Sequence, residues 1–309
     1  MNAGESRAEM SSAGKMSWTT MAYRVLRRPW RENRWSLRFR FKRVWSRLLP
    51  AVPIPVRLPG GIWWLARNDV CGDAVFTGCF EESERRFVTR FLQEGMTVLD
   101  IGAHHGIYTL LAAMKVGRKG CVIAFEPSPR ERGRLLAHLR LNRISGYVTV
   151  CPLALSRDAG EGTLFVVEGR DTGCNSLRPP RATEPTRAAM IHRIRLDDYL
   201  RENKIDRVDF IKMDVEGGEL DVLDGATELL VRPPRPVILT EIDDGRTAPW
   251  GYAASAIFDF LAERDYAWFS ITQEGTLRVA PRDEHYSGNF LAFPRERLQL
   301  ASGLMQPSS

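Results

Sequence analysis

The reading of this chain turns on Val98-Leu99-Asp100-Ile101-Gly102-Ala103-His104-His105-Gly106-Ile107, followed twenty residues after Gly106 by Glu126, which closes the apolar run Cys121-Val122-Ile123-Ala124-Phe125. The first run stops at Asp-x-Gly-x-x-x-Gly and passes into helical spacing at Ile107, Leu110, Leu111 and Met114, so it reads as strand, tight turn and helix. A second run ending in a carboxylate completes a βαβ unit. Glycine is needed where the backbone turns sharply and a ligand approaches, and a carboxylate at the second strand's end suits a ribose diol. The stretch therefore predicts a nucleoside-cofactor site, with Asp100, Gly102, Ala103, Gly106 and Glu126 as binding residues.

What is missing narrows the nucleoside. A dinucleotide fingerprint needs G-x-G-x-x-G, but position 104 is His, and no G-x-x-x-x-G-K-[ST] occurs. Asp100, Glu126, Asp214, Glu216 and Glu241 all fall at or just past predicted strand ends, where parallel sheets bind ligands and where five carboxylates would repel phosphate. A cationic cofactor without phosphate fits, and S-adenosyl-L-methionine has that chemistry. A third strand over residues 147–151 runs into 152–156, expected to be a loop against which an adenine rests, and adds Ser156 to the binding set.

Outward from this unit the pattern alternates. Residues 81–94 carry Phe87, Val88, Phe91 and Leu92 on one helical face, ended by Gly95. Further strands are expected at 163–167, 190–196, 208–213, 236–240, 266–271 and 289–293, with helices over 130–142 and around 196–200, 220–230 and 257–261. Asp197 or Asp198 is the expected helix cap. Residues 62–66 and 74–76 look like short strands of a cap, and 170–187 is a Pro/Arg-rich loop long enough to be a lid or an acceptor-binding loop. Strands alternating with helices at these lengths predict a doubly wound, mostly parallel α/β sheet.

The 309 residues carry a net charge of +6, unevenly spread. Between Arg24 and Arg47 stand ten Lys/Arg and one acid, a net +9, which leaves −3 for everything else. The basicity thus belongs to one segment and is no sign of nucleic-acid binding by the body. Within it Leu37, Phe41, Val44, Trp45 and Leu48 recur at helical spacing beside arginines. Residues 24–49 are expected either to lie on an anionic membrane surface or to dock on the body. The organisation expected is a tail (1–21 disordered) plus basic segment over 1–49, a cap over 50–95, the main domain over 96–300 and a disordered tail over 301–309. No run of eighteen apolar residues and no signal-peptide pattern is seen. Cys71, Cys79, Cys121, Cys151 and Cys174 form no C-x-x-C and read as reduced, buried packing residues. A cytoplasmic protein, peripheral at most to the inner membrane surface, is the expectation.

Taken together, several pieces resemble the FkbM-type S-adenosylmethionine-dependent methyltransferases. They are Glu81, Val98 to Gly106, Ala124-Phe125-Glu126-Pro127-x-Pro129, Leu141-Asn142, Ala154-Leu155-Ser156, Leu196-Asp197-Asp198-Tyr199-Leu200, Ile211-Lys212-Met213-Asp214-Val215-Glu216-Gly217 and Glu241, in order over residues 75–270. The resemblance implies a seven-stranded class I methyltransferase fold and O-methylation of a sugar or polyketide hydroxyl, on a small-molecule or glycan acceptor. His104 and His138 stand where the family usually has Asn.

Methyl transfer to a hydroxyl needs an oriented acceptor that loses its proton. Asp214 is the expected base or orienting group and Glu216 its neighbour, although Asp-x-Glu-Gly could instead cap the following helix. His104, on the first turn, is the competing candidate and is expected to shape the donor pocket. Asp214 and Glu241 at adjacent strand ends are also the oxygen ligands Mg2+ prefers, but the sequence offers no third ligand. The alternative to an enzyme is a non-catalytic membrane-surface or scaffold protein that retains the fold.

Overall fold

The computed structural model describes residues 33–180, 183–283 and 285–305. Residues 1–32, covering the tail expected to be disordered and the start of the basic segment, lie outside the described residues. The described chain opens with α1 (Asn33–Leu48), the antiparallel pair β1 (Ile54–Arg57) and β2 (Trp63–Ala66), α2 (Val70–Thr77) and α3 (Glu82–Phe91). Then come β3 (Thr97–Ile101), α4 (Ile107–Val116), β4 (Cys121–Phe125), α5 (Pro129–Leu141) and β5 (Val148–Cys151). An insertion of β6 (Leu153–Leu155), β7 (Gly160–Val167) and β8 (Thr186–Ile194) precedes α6 (Leu196–Glu202), β9 (Phe210–Met213), α7 (Glu219–Asp224) and β10 (Val237–Asp243). The chain ends through α8 (Asp244–Thr247), α9 (Ser255–Ala262), β11 (Tyr266–Ile271), β12 (Leu277–Val279), β13 (Ser287–Pro294) and α10 (Leu298–Ser302).

The central sheet runs β12-β11-β13-β10-β9-β3-β4-β5. From β10 to β5 every pairing is parallel, while β13 is antiparallel to both β10 and β11. Because successive strand residues point to opposite faces, each buried strand feeds two cores. Val98, Val122, Ala124, Phe210, Leu239 and Phe293 join the cap and α3 to α5 on one face. Leu99, Ile101, Ile123, Phe125, Ile211 and Ile238 meet α6, α7 and α9 on the other. β3 has β4 on one side and β9 on the other, so the strand order reverses there, and a crevice opens at the carboxyl ends of these strands.

Several expectations are corrected. The sheet has eight strands, the eighth being the edge strand β12; a three-residue strand is too short to show a period. Residues 74–76 belong to helix α2, because Asp69 caps it through Gly72 N–H at 2.6 Å and Gly78 closes it in the left-handed conformation. Residues 153–155 form a strand, not a loop, since they pair with β8 in a separate three-stranded sheet. The tail does not begin after Leu300: α10 continues to Ser302 and Met305 bridges to Leu277. Asp197 and Asp198 make no cap to α6; Asp197 accepts instead from Glu228 N–H at 2.9 Å and Leu229 N–H at 3.1 Å. All five cysteines are free, but Cys79 is exposed, so it is no packing residue.

Phe293 is fully buried, with Phe87, Phe91 and Phe269 edge-on around it at ring centroid distances of 6.4, 5.9 and 5.4 Å. Phe293→Ala leaves a cavity joining α3 to the sheet and is expected to cost about 3–5 kcal/mol. Guanidinium denaturation checks this, and a loss well under 1 kcal/mol contradicts the packing.

Candidate active site

Two glycines build the first turn by being bare. Gly102 has φ 77°, and a Cβ there would lie 1.8 Å from the carbonyl oxygen of Asp214. Gly106 has φ 85°, and its Cβ would lie 2.1 Å from Leu135 Cδ1. Both positions thus need glycine for conformation and for room. The N–H groups of Gly102 and Ala103 each donate to Phe125 O at 3.0 Å, fastening the turn to the end of β4. Just beyond, the Glu126 carboxylate accepts from His104 N–H at 2.7 Å and Ser128 N–H at 2.8 Å, which leaves each oxygen a further acceptor direction. Burial pushes the Glu126 pKa up to about 8, against the pull of these amides.

A cavity of about 540 Å³, open to solvent, lies over this turn. Gly102, His104 and Glu126 line one side, Leu153, Ala154 and Leu155 another, and Asp214 and Glu216 a third. Fold and close approach thus bring five of the expected site residues together. The other four do not line it. Asp100 is buried beneath the turn, accepting from the Thr109 hydroxyl, and burial raises its pKa to about 6. Ala103 and Gly106 shape the turn through their backbones. Ser156 is buried, with its N–H on Ile194 O and its carbonyl against Gly225, and Leu155 beside it lines the cavity.

Carboxylate oxygens of Asp214, Glu216 and Glu241 all lie within 4.8 Å of one another. Burial pushes Glu216 and Glu241 well above the carboxylate range, and the mutual repulsion adds to it. Two cations answer the cluster. Lys212 Nζ, almost wholly buried, lies 3.3 Å from Asp214 Oδ2 and 3.3 Å from Asn289 Oδ1. Burial alone would lower its pKa, but Asp214, Glu81 and Glu241 outweigh that and raise it. Arg246 Nη1 lies 2.8 Å from Glu216 Oε2. Neither Asp214 nor Glu216 caps α7, which has no side-chain cap; Glu219 in its first turn accepts from Val215 N–H at 3.0 Å and Gly217 N–H at 3.4 Å and so ties the preceding loop to the helix.

The His104 ring bonds through Nε2 to the Thr172 hydroxyl at 3.0 Å and stacks on His105 at 3.6 Å. Arg134 donates to His105 Nε2 at 2.8 Å. Burial lowers both histidines, so they stand as neutral rings in the wall. Cys71, His104 and His105 also place ligand-type atoms within 4.8 Å of one another. A metal sits near the plane of each imidazole that binds it, and two rings inclined by only 17° share no such point. His138, the other departure from the family pattern, stacks on Trp64 at 3.9 Å and bonds His105 O at 2.8 Å.

Sequence reasoning missed Lys212, Arg246, Thr172 and Trp250 as site residues. Only Lys212 left a signal, a lysine inside an apolar central strand. The others come from the 170–187 loop and the segment after β10. They form a groove of about 270 Å³ lined by Arg178, Pro179, Pro180, Arg246, Pro249 and Trp250, which shares Ser176 and Glu216 with the cavity. Arg178 lies over the Trp250 ring at 5.6 Å.

These shifts set a pH dependence. Histidines whose pKa is lowered contribute stability that is complete above the unfolded value of 6.5. Glu126 and Glu219, raised from 4.5 to about 8 and about 7, act oppositely: their stabilisation is present at low pH and lost as pH rises through those values. From about pH 6.5 to 8 only the carboxyl effect operates, so the ligand-free chain should melt at falling temperature as pH rises. Thermal melts at constant ionic strength check this, with Glu126→Gln making the decline shallower. A midpoint that rises across the window contradicts it.

The Methyltransferase FkbM domain matches residues 100–267, over half of the chain. The chain is 28% identical to the AMB antimetabolite synthetase AmbE of Pseudomonas aeruginosa, over 62% of this chain and 10% of that protein. It is also 28% identical to Methyltransferase 1 of Beauveria bassiana, over 41% of this chain and 57% of that protein. It thus spans only part of the length of either relative. A methyltransferase FkbM from Methylobacillus flagellatus KT has 20% identity and a TM-score of 0.42, over 72% of this chain and 54% of that one. The matched span takes in the glycine turn, Glu126 and the whole carboxylate cluster, and the chain belongs to the FkbM methyltransferase family.

Proposed function

We propose that this chain is an S-adenosylmethionine-dependent O-methyltransferase acting on a hydroxyl of a sugar- or polyketide-type acceptor, free or in a glycan, within a biosynthetic pathway. The observation that carries this reading is a single cavity that joins the glycine turn and Glu126 to the carboxylate cluster and opens into the Arg178 and Trp250 groove. When bound, the donor supplies a methyl group on a sulfonium, transferred by in-line displacement without a covalent intermediate. Gly102 lines the cavity at the turn, and Glu126 keeps acceptor directions for a ribose diol. The carboxylate cluster suits the donor's positive charges.

Asp214 takes or orients the acceptor's proton. Its side chain is 31% exposed at the cavity and is steadied by Lys212. Arg178 and Trp250 line the groove, and Ser176 and Glu216 stand where groove and cavity meet. Asp214, Glu216 and Glu241 are oxygen ligands of the type Mg2+ prefers, but Lys212 and Arg246 already hold the places beside them, and proton removal by Asp214 needs no metal. A scaffold would have no use for a buried cluster of this cost.

Glu126→Ala should weaken S-adenosylhomocysteine binding by about 1.5–3 kcal/mol, measured by calorimetric titration. Unchanged affinity in the folded variant removes Glu126 from the donor site. Asp214→Asn should lower turnover roughly 100-fold or more on a panel of hydroxylated sugar and polyketide acceptors, scored by transfer of labelled methyl, with donor affinity changed far less. If Asp214→Asn turns over normally while His104→Ala abolishes turnover and the acid limb of the pH profile, His104 is the base.

A further inference from the structure

The methyl-transfer site uses nothing of α1, whose sixteen residues include no acid. The helix is held to the body by one side. Lys42, 2% exposed, donates to Arg67 O at 2.7 Å and pairs with Asp73, and half-buried Trp45 packs against the core and donates to Val52 O at 2.9 Å. Phe41 also meets Phe76 at 6.5 Å, yet stays 52% exposed.

Away from this contact the helix shows a different face. Leu37, Phe41, Val44 and Leu48 are 63%, 52%, 53% and 74% exposed. At 3.6 residues per turn they fall within about 60° of one another, bordered on one side by Trp45 and on the other by Arg40, Arg43 and Arg47. Those three arginines and Arg38 are exposed, and none has an acidic partner among the described residues. The apolar strip continues past the helix through Leu49 and Val52, 44% and 47% exposed.

We infer that this face of α1 docks on an anionic phospholipid bilayer, with Leu37, Phe41, Val44 and Leu48 in the acyl boundary and the arginines on headgroup phosphates. Water leaves the apolar stripe unsatisfied, and a nucleic acid would take the arginines but leave four large apolar side chains beside it. A lipid interface takes both at once. No helix among the described residues is long and apolar enough to cross a membrane. Asp73, which holds Lys42, also pairs with Arg170, two residues before Thr172 in the cavity wall. One carboxylate therefore ties the docking helix to the donor pocket.

The test is sedimentation of the full chain with vesicles of phosphatidylcholine alone and of phosphatidylcholine mixed with phosphatidylserine. Binding should require phosphatidylserine and fall with added salt. Arg43→Gln and Arg47→Gln should each lower it about five-fold, Arg43→Lys should restore it, and Val44→Glu with Leu48→Glu should abolish it. All these positions are exposed, and titration with S-adenosylhomocysteine shows that each variant remains folded. Absence of phosphatidylserine-dependent binding by the native chain overturns the inference. So does vesicle binding that survives the glutamate substitutions, or tight retention on duplex DNA that needs the arginines and not the apolar stripe.

Discussion

The backbone of Gly102 lies so close to the Asp214 carbonyl that no side chain fits between them, and most of the site hangs on that seam. It joins the turn after β3 to the loop after β9, at the point where the order of strands reverses. Parallel sheets leave a crevice there because the connections on either side depart to opposite faces. In this chain the crevice is walled by the Glu126 end of β4 and by the carboxylates after β9. The Glu126 side and the carboxylate side of one cavity are therefore neighbours because two backbones touch.

A second constraint is electrostatic. Three carboxyl groups within 4.8 Å of one another in a largely buried place would not persist without compensation. Lys212 supplies part of it from within a central strand, itself steadied by Asn289 and the nearby Tyr108 ring at 5.3 Å. Arg246 supplies the rest from α8. Glu219, outside the three, holds the loop before α7 by accepting from the Val215 and Gly217 N–H groups, and neither Asp214 nor Glu216 caps that helix. A stable cluster of this kind is poised for proton chemistry, because small changes in what occupies the cavity shift where its protons lie.

The amino-terminal helix follows a separate logic. A buried lysine and one tryptophan are enough to seat it, and the remainder of its surface keeps apolar and basic side chains exposed together. Docking on the body uses one side of the helix, and the bilayer contact inferred above would use the other, so the two readings of its sequence do not exclude each other.

Local order was legible in the sequence. The apolar runs at 98–101 and 121–125, the two glycines and the acid after Phe125 specify strand, turn, helix and strand with little reference to anything distant, because each rule acts over a few residues. The doubly wound sheet and the Glu126 side of the cavity follow from them. Contacts between distant segments were not legible. Residues 74–76 looked like a strand because a short apolar run has no period of its own, and only the Asp69 and Gly78 caps make it a helix. Ser156 stood in the right motif but is carried away from the cavity by pairing of β6 with β8. Thr172, Arg246 and Trp250 entered the site from single helical turns too short to show a period. The sequence by itself determined which elements form and which carboxylates stand at strand ends, since those depend on neighbours along the chain. Only the tertiary structure decided which carboxylates meet, which cations face them and which side of α1 is left bare, since those depend on distances that close when the sheet is assembled.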